Sequence, residues 1–168
     1  TGTNGEFQGA LDYLTANGPA GLGTFSPQVM AAISLYLDVR DANPGASISF
    51  TGHSLGGGLA ALMAVYFGKD AVTFAPAPFK ASAHSDATMA LYLAGITAQG
   101  KSDAAFNAYL AAHLVDSDTA YTARQANVEA HTIEDEVLIN VFKRLGTIVD
   151  PARDYLYDAG TSVSSIGL

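Results

Sequence analysis

The sequence predicts an α/β fold with a parallel sheet as its core, helices on both faces of that sheet, and a helical insertion. Three features carry the expectation. Helical and extended patterns alternate with short links from Ser26 to Ala75, the order produced by parallel strands joined through helical crossovers. Glycine is concentrated at one strand-to-helix turn, in Gly52-His53-Ser54-Leu55-Gly56-Gly57-Gly58. An Ala-rich stretch with helical periodicity, Lys80 to Asn127, then separates the second strand pattern from the third.

Ser26-Pro27 opens the first helix. A hydroxyl caps the free amides there, and proline stands at the first helical position, where its missing N–H costs nothing. Val29, Met30, Ile33, Tyr36 and Leu37 follow at helical spacing until Asn43-Pro44-Gly45 stops the run. Ala46 to Thr51 reads as a short buried strand, Leu55 to Phe67 as a helix rich in small residues, and Ala71 to Ala75 as a second strand closed by Pro76 and Pro78. Residues 80–127 hold the clusters Met89–Leu93 and Phe106–Val115, two or more amphipathic helices broken at Gln99–Asp103 and Asp116–Asp118. This stretch is expected to form a cap or lid over the end of the sheet. Val128 to Ile133 reads as a third strand and Val137 to Leu145 as a helix.

Composition bounds what such a fold can do. With 168 residues, 49% hydrophobic and 14% charged, the chain is the size of one domain with a real core and not a disordered polymer. A net charge of −8 argues against a nucleic-acid backbone or an anionic membrane surface as the main partner. Cysteine is absent, which excludes disulfides and thiolate chemistry and is compatible with a secreted protein without fixing the compartment. The longest apolar run, near Leu59 to Phe67, is too short to span a bilayer, and no signal-peptide pattern opens the chain. The four histidines share no ligand spacing, so no metal is expected, and nothing calls for a cofactor.

Gly52-x-Ser54-x-Gly56 between an apolar strand and a helix fits a nucleophile elbow. A serine on so sharp a turn takes a strained backbone conformation, and side chains two positions away would collide with the turn or cover the hydroxyl. Gly52 and Gly56 are expected to give that room, and Gly57 and Gly58 to let the next helix press on the sheet. The helix points its free amides and positive dipole end at the reaction centre, with the Leu55 N–H as an expected oxyanion donor. A phosphate-binding loop is the rival reading of a Gly-rich turn, but no Gly-Lys-Ser/Thr ending is present and no lysine follows until Lys69.

These residues carry a resemblance. Gly52-His53-Ser54-Leu55-Gly56-Gly57 followed by Leu59-Ala60 resembles the active-site motif of the class 3 (fungal-type) lipases of the α/β-hydrolase superfamily. Val72-Thr73-Phe74-Ala75-Pro76-Ala77-Pro78 is similar to that family's next strand, and Thr1-Gly2-Thr3 to the tail of its oxyanion loop, with Thr where the family has Arg. The resemblance implies an α/β-hydrolase-like fold and Thr3 as a second oxyanion donor. It further implies a carboxylate after the third strand, Asp135 by the family's pattern with Glu136 in reserve, within His131-Thr132-Ile133-Glu134-Asp135-Glu136.

A serine of ordinary pKa needs a base, and in this superfamily the histidine follows the acid in the chain. None follows Glu136 here; the four are His53, His84, His113 and His131. His53 is expected to pack or hydrogen-bond under the elbow, and His131 to be a satisfied sheet residue. His84 and His113 reach the site only if the insertion folds inward. The chain therefore reads as the middle of a larger hydrolase, its catalytic histidine beyond Leu168 and other parts of the parent chain its partners. Ser164–Leu168 resembles the family's last short strand. The implied activity is cleavage of carboxylic esters, of lipase, esterase or phospholipase type, through an acyl-enzyme on Ser54. Tyr92, Phe106, Tyr109 and Leu110 are candidate contacts for a lipid-like acyl group. The alternative is a hydrolase-like binding module without its histidine.

Overall fold

The structure, a computed structural model, describes residues 26–133 and 153–157. In chain order these form α1 (Ser26–Ala42), β1 (Ser49–His53), α2 (Ser54–Phe67), β2 (Asp70–Phe74), α3 (Lys80–Ala83), α4 (Asp86–Ala98), α5 (Ala104–His113), α6 (Ser117–Gln125), β3 (Val128–Ile133) and β4 (Arg153–Tyr157). The four strands make one sheet in the order β1-β2-β3-β4, every neighbouring pair parallel. This is a mixed α/β architecture on a parallel sheet, as the alternation of patterns implies.

The largest boundary difference from expectation is in β1, with β2 shifted by one residue and α2 starting one residue early, and one strand was not expected at all. β1 begins three residues late and runs through His53, because its register is set by pairing with β2, Ser49 opposite Asp70 and His53 opposite Phe74. Ala46 and Ser47, read as strand, are exposed loop. β4 follows Pro151 and carries Tyr155 and Tyr157 in alternation before Gly160. Those strand-forming residues, bracketed by a proline and a glycine, were a legible signal. The expected helix over 137–145 and the ending Ser164–Leu168 lie outside the described residues.

The described helices cover one face of the sheet; helices on both were expected, and the one expected over 137–145 lies outside the described residues. Strand residues alternate between the two faces. Ala71, Thr73, Val128, Ala130 and Thr132 are buried on the helical side, with Phe50 half-buried beside them. On the other side Thr51, His53, Val72 and Phe74 are exposed among the described residues, Phe74 to 47%.

Helix α2 is the centre of the molecule. Every residue from Ala60 to Phe67 is buried, all round the helix, because α2 lies between the sheet and a second helical layer. Its lower end is ringed by aromatic side chains. Tyr66 meets Tyr92 edge-on with ring centroids 4.6 Å apart, Phe67 lies 4.3 Å from Tyr36, and Phe106 and Tyr109 close the ring at 5.8 and 5.3 Å from Tyr66. Offset and edge-to-face aromatic pairs contribute beyond their buried area. Gly68 ends α2 in the left-handed conformation, φ 59°, and its N–H donates to the Ala64 carbonyl.

Residues 80–127 form α3 to α6. Ser85, Asp103 and Asp116 cap α4, α5 and α6, each accepting from a backbone N–H in the first turn of its helix. Asp103 does more than cap. Its carboxylate also accepts from Tyr36 at 3.2 Å and pairs with Arg40 at 2.9 Å, which ties the start of α5 to α1. Burial and then the Asp103 charge push the Tyr36 hydroxyl well above its ordinary pKa. Lys101 adds bridges to Asp38 and Asp41 across the same junction.

Candidate active site

Ser54 is the first residue of α2, directly after the last residue of β1, and its φ is +54°. A β-substituted residue held in the left-handed region costs about 1–2 kcal/mol. Together with Ala75, Ser54 is one of two non-glycine residues with positive φ among those described. The strain is over-determined by what surrounds it. A Cβ at Gly52 would land on the Gly56 carbonyl, and one at Gly57 would stand 3.0 Å from the Pro76 Cα. At Gly58 it would stand 2.7 Å from the Ala77 carbonyl oxygen. These three glycines are what allow β1, the turn and α2 to close upon one another and upon the chain leaving β2.

Gly56 behaves differently. Among the described residues a Cβ there would meet nothing within 4 Å, and Gly56 is exposed, so clearance of the described turn does not require a glycine at this position. The expected role of Gly56 in giving room is corrected to that extent. His53 is corrected too. It is exposed at the N-cap of α2, with no hydrogen bond from its side chain into the helix, and is not packed under the elbow.

That missing cap has chemical weight. A helix begins with amides that have no partner inside it. In α4, α5 and α6 the serine or aspartate at the N-cap accepts from one of them; at α2 the N-cap residue, His53, makes no such bond. The amides after Ser54, that of Leu55 first, stand at the positive end of α2 beside the serine hydroxyl, an arrangement suited to a developing negative charge. The Ser54 carbonyl accepts the Ala77 N–H at 2.8 Å, so the exit of β2 is fastened to the turn.

The other site candidates separate into two groups. Thr3, Asp135 and Glu136 lie outside the described residues; β3 ends at Ile133, two positions before Asp135 in sequence. The histidines are all described. His131 Nε2 pairs with Glu129 Oε1 at 2.7 Å, two residues back along β3 and so away from the edge that carries Ser54, and its ring stacks on Phe74 at 5.3 Å. His113 is buried at the end of α5 and pairs with Asp86 at 3.0 Å. His84, between α3 and α4, lies 3.7 Å from Asp118 and 4.9 Å from the Tyr121 ring; burial lowers its pKa, partly opposed by Asp118. Among the described residues no hydrogen bond joins any of the four to the Ser54 hydroxyl. Tyr92, Phe106 and Tyr109 are buried against the far end of α2, about 15–20 Å along the helix from Ser54. In this structure they are core and not contacts for an acyl chain. Leu110 is half-buried against the same core.

Comparison with known proteins bears on what such a turn is for. The chain is 48% identical over 48 residues to a Penicillium rubens protein named "Putative lipase atg15"; the match covers 29% of this chain and 7% of that protein. The chain therefore spans only a small fraction of that relative's length. No solved structure matches it. A family profile, the Tle-like phospholipase domain, matches residues 1–151. Lipase and phospholipase kinship is thus supported, whereas the narrower class 3 assignment is not what the profile reports. With nine-tenths of its length inside that match, this chain belongs to the Tle-like phospholipase domain family.

Proposed function

We propose that the chain carries the nucleophile of a serine hydrolase that cleaves carboxylic esters of lipids, phospholipids included, on an α/β-hydrolase-like scaffold. The observation that carries the reading is the left-handed Ser54 at the junction of a parallel strand and a helix with no side-chain cap. Membership of a phospholipase domain family supports a lipid ester as the substrate class. Parallel strands in sequential order, with the Ser54 turn at their C-terminal edge, support the scaffold and the likeness to class 3 lipases.

In this reading Ser54 Oγ attacks the ester carbonyl carbon while a histidine takes its proton. The oxyanion accepts from the Leu55 N–H, with Thr3 as second donor, and Asp135, with Glu136 in reserve, orients the histidine. Collapse of the tetrahedral adduct expels the alcohol, which receives the proton, and leaves Ser54 acylated. Water, deprotonated by the same base, then releases the fatty acid. The histidine is assigned to a part of the protein beyond Leu168, because each described histidine is engaged elsewhere or, as His53, turned to solvent. Residues 80–127, which form α3 to α6, are read as a helical cap or lid insertion within the domain.

The same engagement of the histidines favours one other reading, a binding module that keeps the scaffold without the chemistry. A fluorophosphonate separates the two. The full-length protein is expected to label on Ser54 and to release fatty acid from phospholipid vesicles, and Ser54→Ala to lose labelling and about a thousandfold or more of the hydrolysis. A full-length protein that neither labels nor hydrolyses would establish the binding module instead.

A further inference from the structure

The exit of β2 touches the proposed nucleophile through one peptide group. The Ala77 N–H donates to the Ser54 carbonyl at 2.8 Å. That carbonyl belongs to the same planar peptide as the Leu55 N–H, and in a trans peptide the two point in opposite directions. Whatever holds the oxygen therefore aims the hydrogen. The residues that make this contact are themselves fixed. Ala75 turns through a positive φ of 42° immediately after β2, and its N–H donates to the His131 carbonyl at 2.8 Å. Pro76 and Ala77 are buried against Gly57 and Gly58, so near that neither glycine can carry a Cβ without displacing them.

We propose that Ala77 is a positioning residue for the oxyanion site, acting through the Ser54–Leu55 peptide. Its N–H pins the peptide plane so that the Leu55 N–H faces the reacting carbonyl. A hydrogen bond accepted by a peptide oxygen also polarises that peptide and makes its N–H a stronger donor. The arrangement is a two-step relay, Ala77 N–H to Ser54 carbonyl and Leu55 N–H to oxyanion, and it explains why the turn is packed against residues 76 and 77 so tightly. The glycines at 57 and 58 are there for the relay as much as for the helix.

The inference rests on the hydrolase reading, and the test keeps the two apart. In the full-length enzyme, Ala77 is replaced by lactic acid through nonsense suppression, which turns its N–H into an ester oxygen and leaves the side chain in place. Hydrolysis of a soluble short-chain ester is then followed. The expected result is a fall in kcat of about tenfold or more, with KM within about twofold and the melting temperature nearly unchanged. Affinity for a trifluoromethyl ketone, which forms the oxyanion on Ser54, falls by the same factor as kcat. If the ester form is poorly folded, Gly58→Ala, which pushes on the Ala77 carbonyl and keeps every N–H, is expected to show the same split between kcat and KM. Equal kcat in an active parent and its variants, or losses that follow the melting temperature alone, would overturn the assignment and leave the hydrolase reading standing. A parent enzyme that neither hydrolyses the ester nor binds the ketone overturns both.

Discussion

The two ends of α2 are built from opposite materials. At the Ser54 end the neighbours are glycine, alanine and proline, the backbone is strained, and the contacts that matter are peptide groups a few ångströms apart. At the Phe67 end the neighbours are Tyr36, Tyr92, Phe106 and Tyr109, the backbone is regular, and the contacts are large buried rings. About 20 Å of helix separates the two. Close backbone approach places a nucleophile and its donors; aromatic burial supplies the stability that such a strained turn draws on. A single rigid element lets one end support the other without either intruding.

The separation can be broken by experiment. Phe67→Ala, which empties a fully buried ring site, is expected to destabilise by about 3–5 kcal/mol in chemical denaturation while leaving kcat of the folded fraction within about twofold. A large fall in kcat would mean that the ends are coupled. Gly52→Ala is the converse. Its Cβ meets the Gly56 carbonyl, so a loss of about 1–3 kcal/mol is expected together with a fall in kcat of at least about tenfold, a larger functional cost per unit of stability than at Phe67.

Tyr92→Phe sharpens the account of the aromatic end. Among the described residues the buried Tyr92 hydroxyl has no hydrogen-bond partner, and burial drives its pKa far above the ordinary phenol value. Tyr66 and Tyr109, by contrast, donate to the carbonyls of Ser82 and Ala83. Removing the orphaned oxygen is expected to raise stability by about 1 kcal/mol, whereas Tyr66→Phe lowers it.

The smallest effect concerns pH. Burial holds His84 below its ordinary value of 6.5, so the unfolded chain takes up this proton first as pH falls. The stability that neutral His84 contributes is present above that value and is lost as pH drops through it toward the folded pKa. Between pH 7.5 and 5.5 the melting temperature of His84→Gln is expected to fall about 1–2 °C less than that of the parent. Equal slopes would show that His84 titrates freely.

What the sequence disclosed follows the range of the forces involved. The turn at Ser54, the helix of small residues behind it and the strands beside it were legible because each is written in adjacent residues, glycines and prolines bracketing apolar runs. The side of the sheet that each described helix takes was not, since that depends on contacts far apart in sequence. Tyr92 and Tyr109 show the same limit. Their helical spacing announces an apolar stripe, and only the fold reveals that the stripe meets Tyr66 and not an acyl chain. Gly56 and Gly57 are indistinguishable as letters, yet among the described residues one has no neighbour for a Cβ to meet and the other faces the Pro76 backbone. In the sequence Asp103 reads as part of a polar break between helices. A lone aspartate before an alanine run is an ordinary cap signal, and nothing local marks it as the acceptor for Tyr36 and Arg40.

His53 and Phe74 stand opposite each other in register, and the residue that follows each strand, Ser54 and Ala75, takes a backbone form that alanine and serine avoid. The two unfavourable bends are thus side by side, on one rim, the first fastened by the Ala77 N–H and the second by the His131 carbonyl. Discomfort pooled in one place gives way in one place. Gentle warming should let this rim relax while the ring of tyrosines and phenylalanines still grips the opposite end of the helix, so that the molecule falls silent some degrees before it melts.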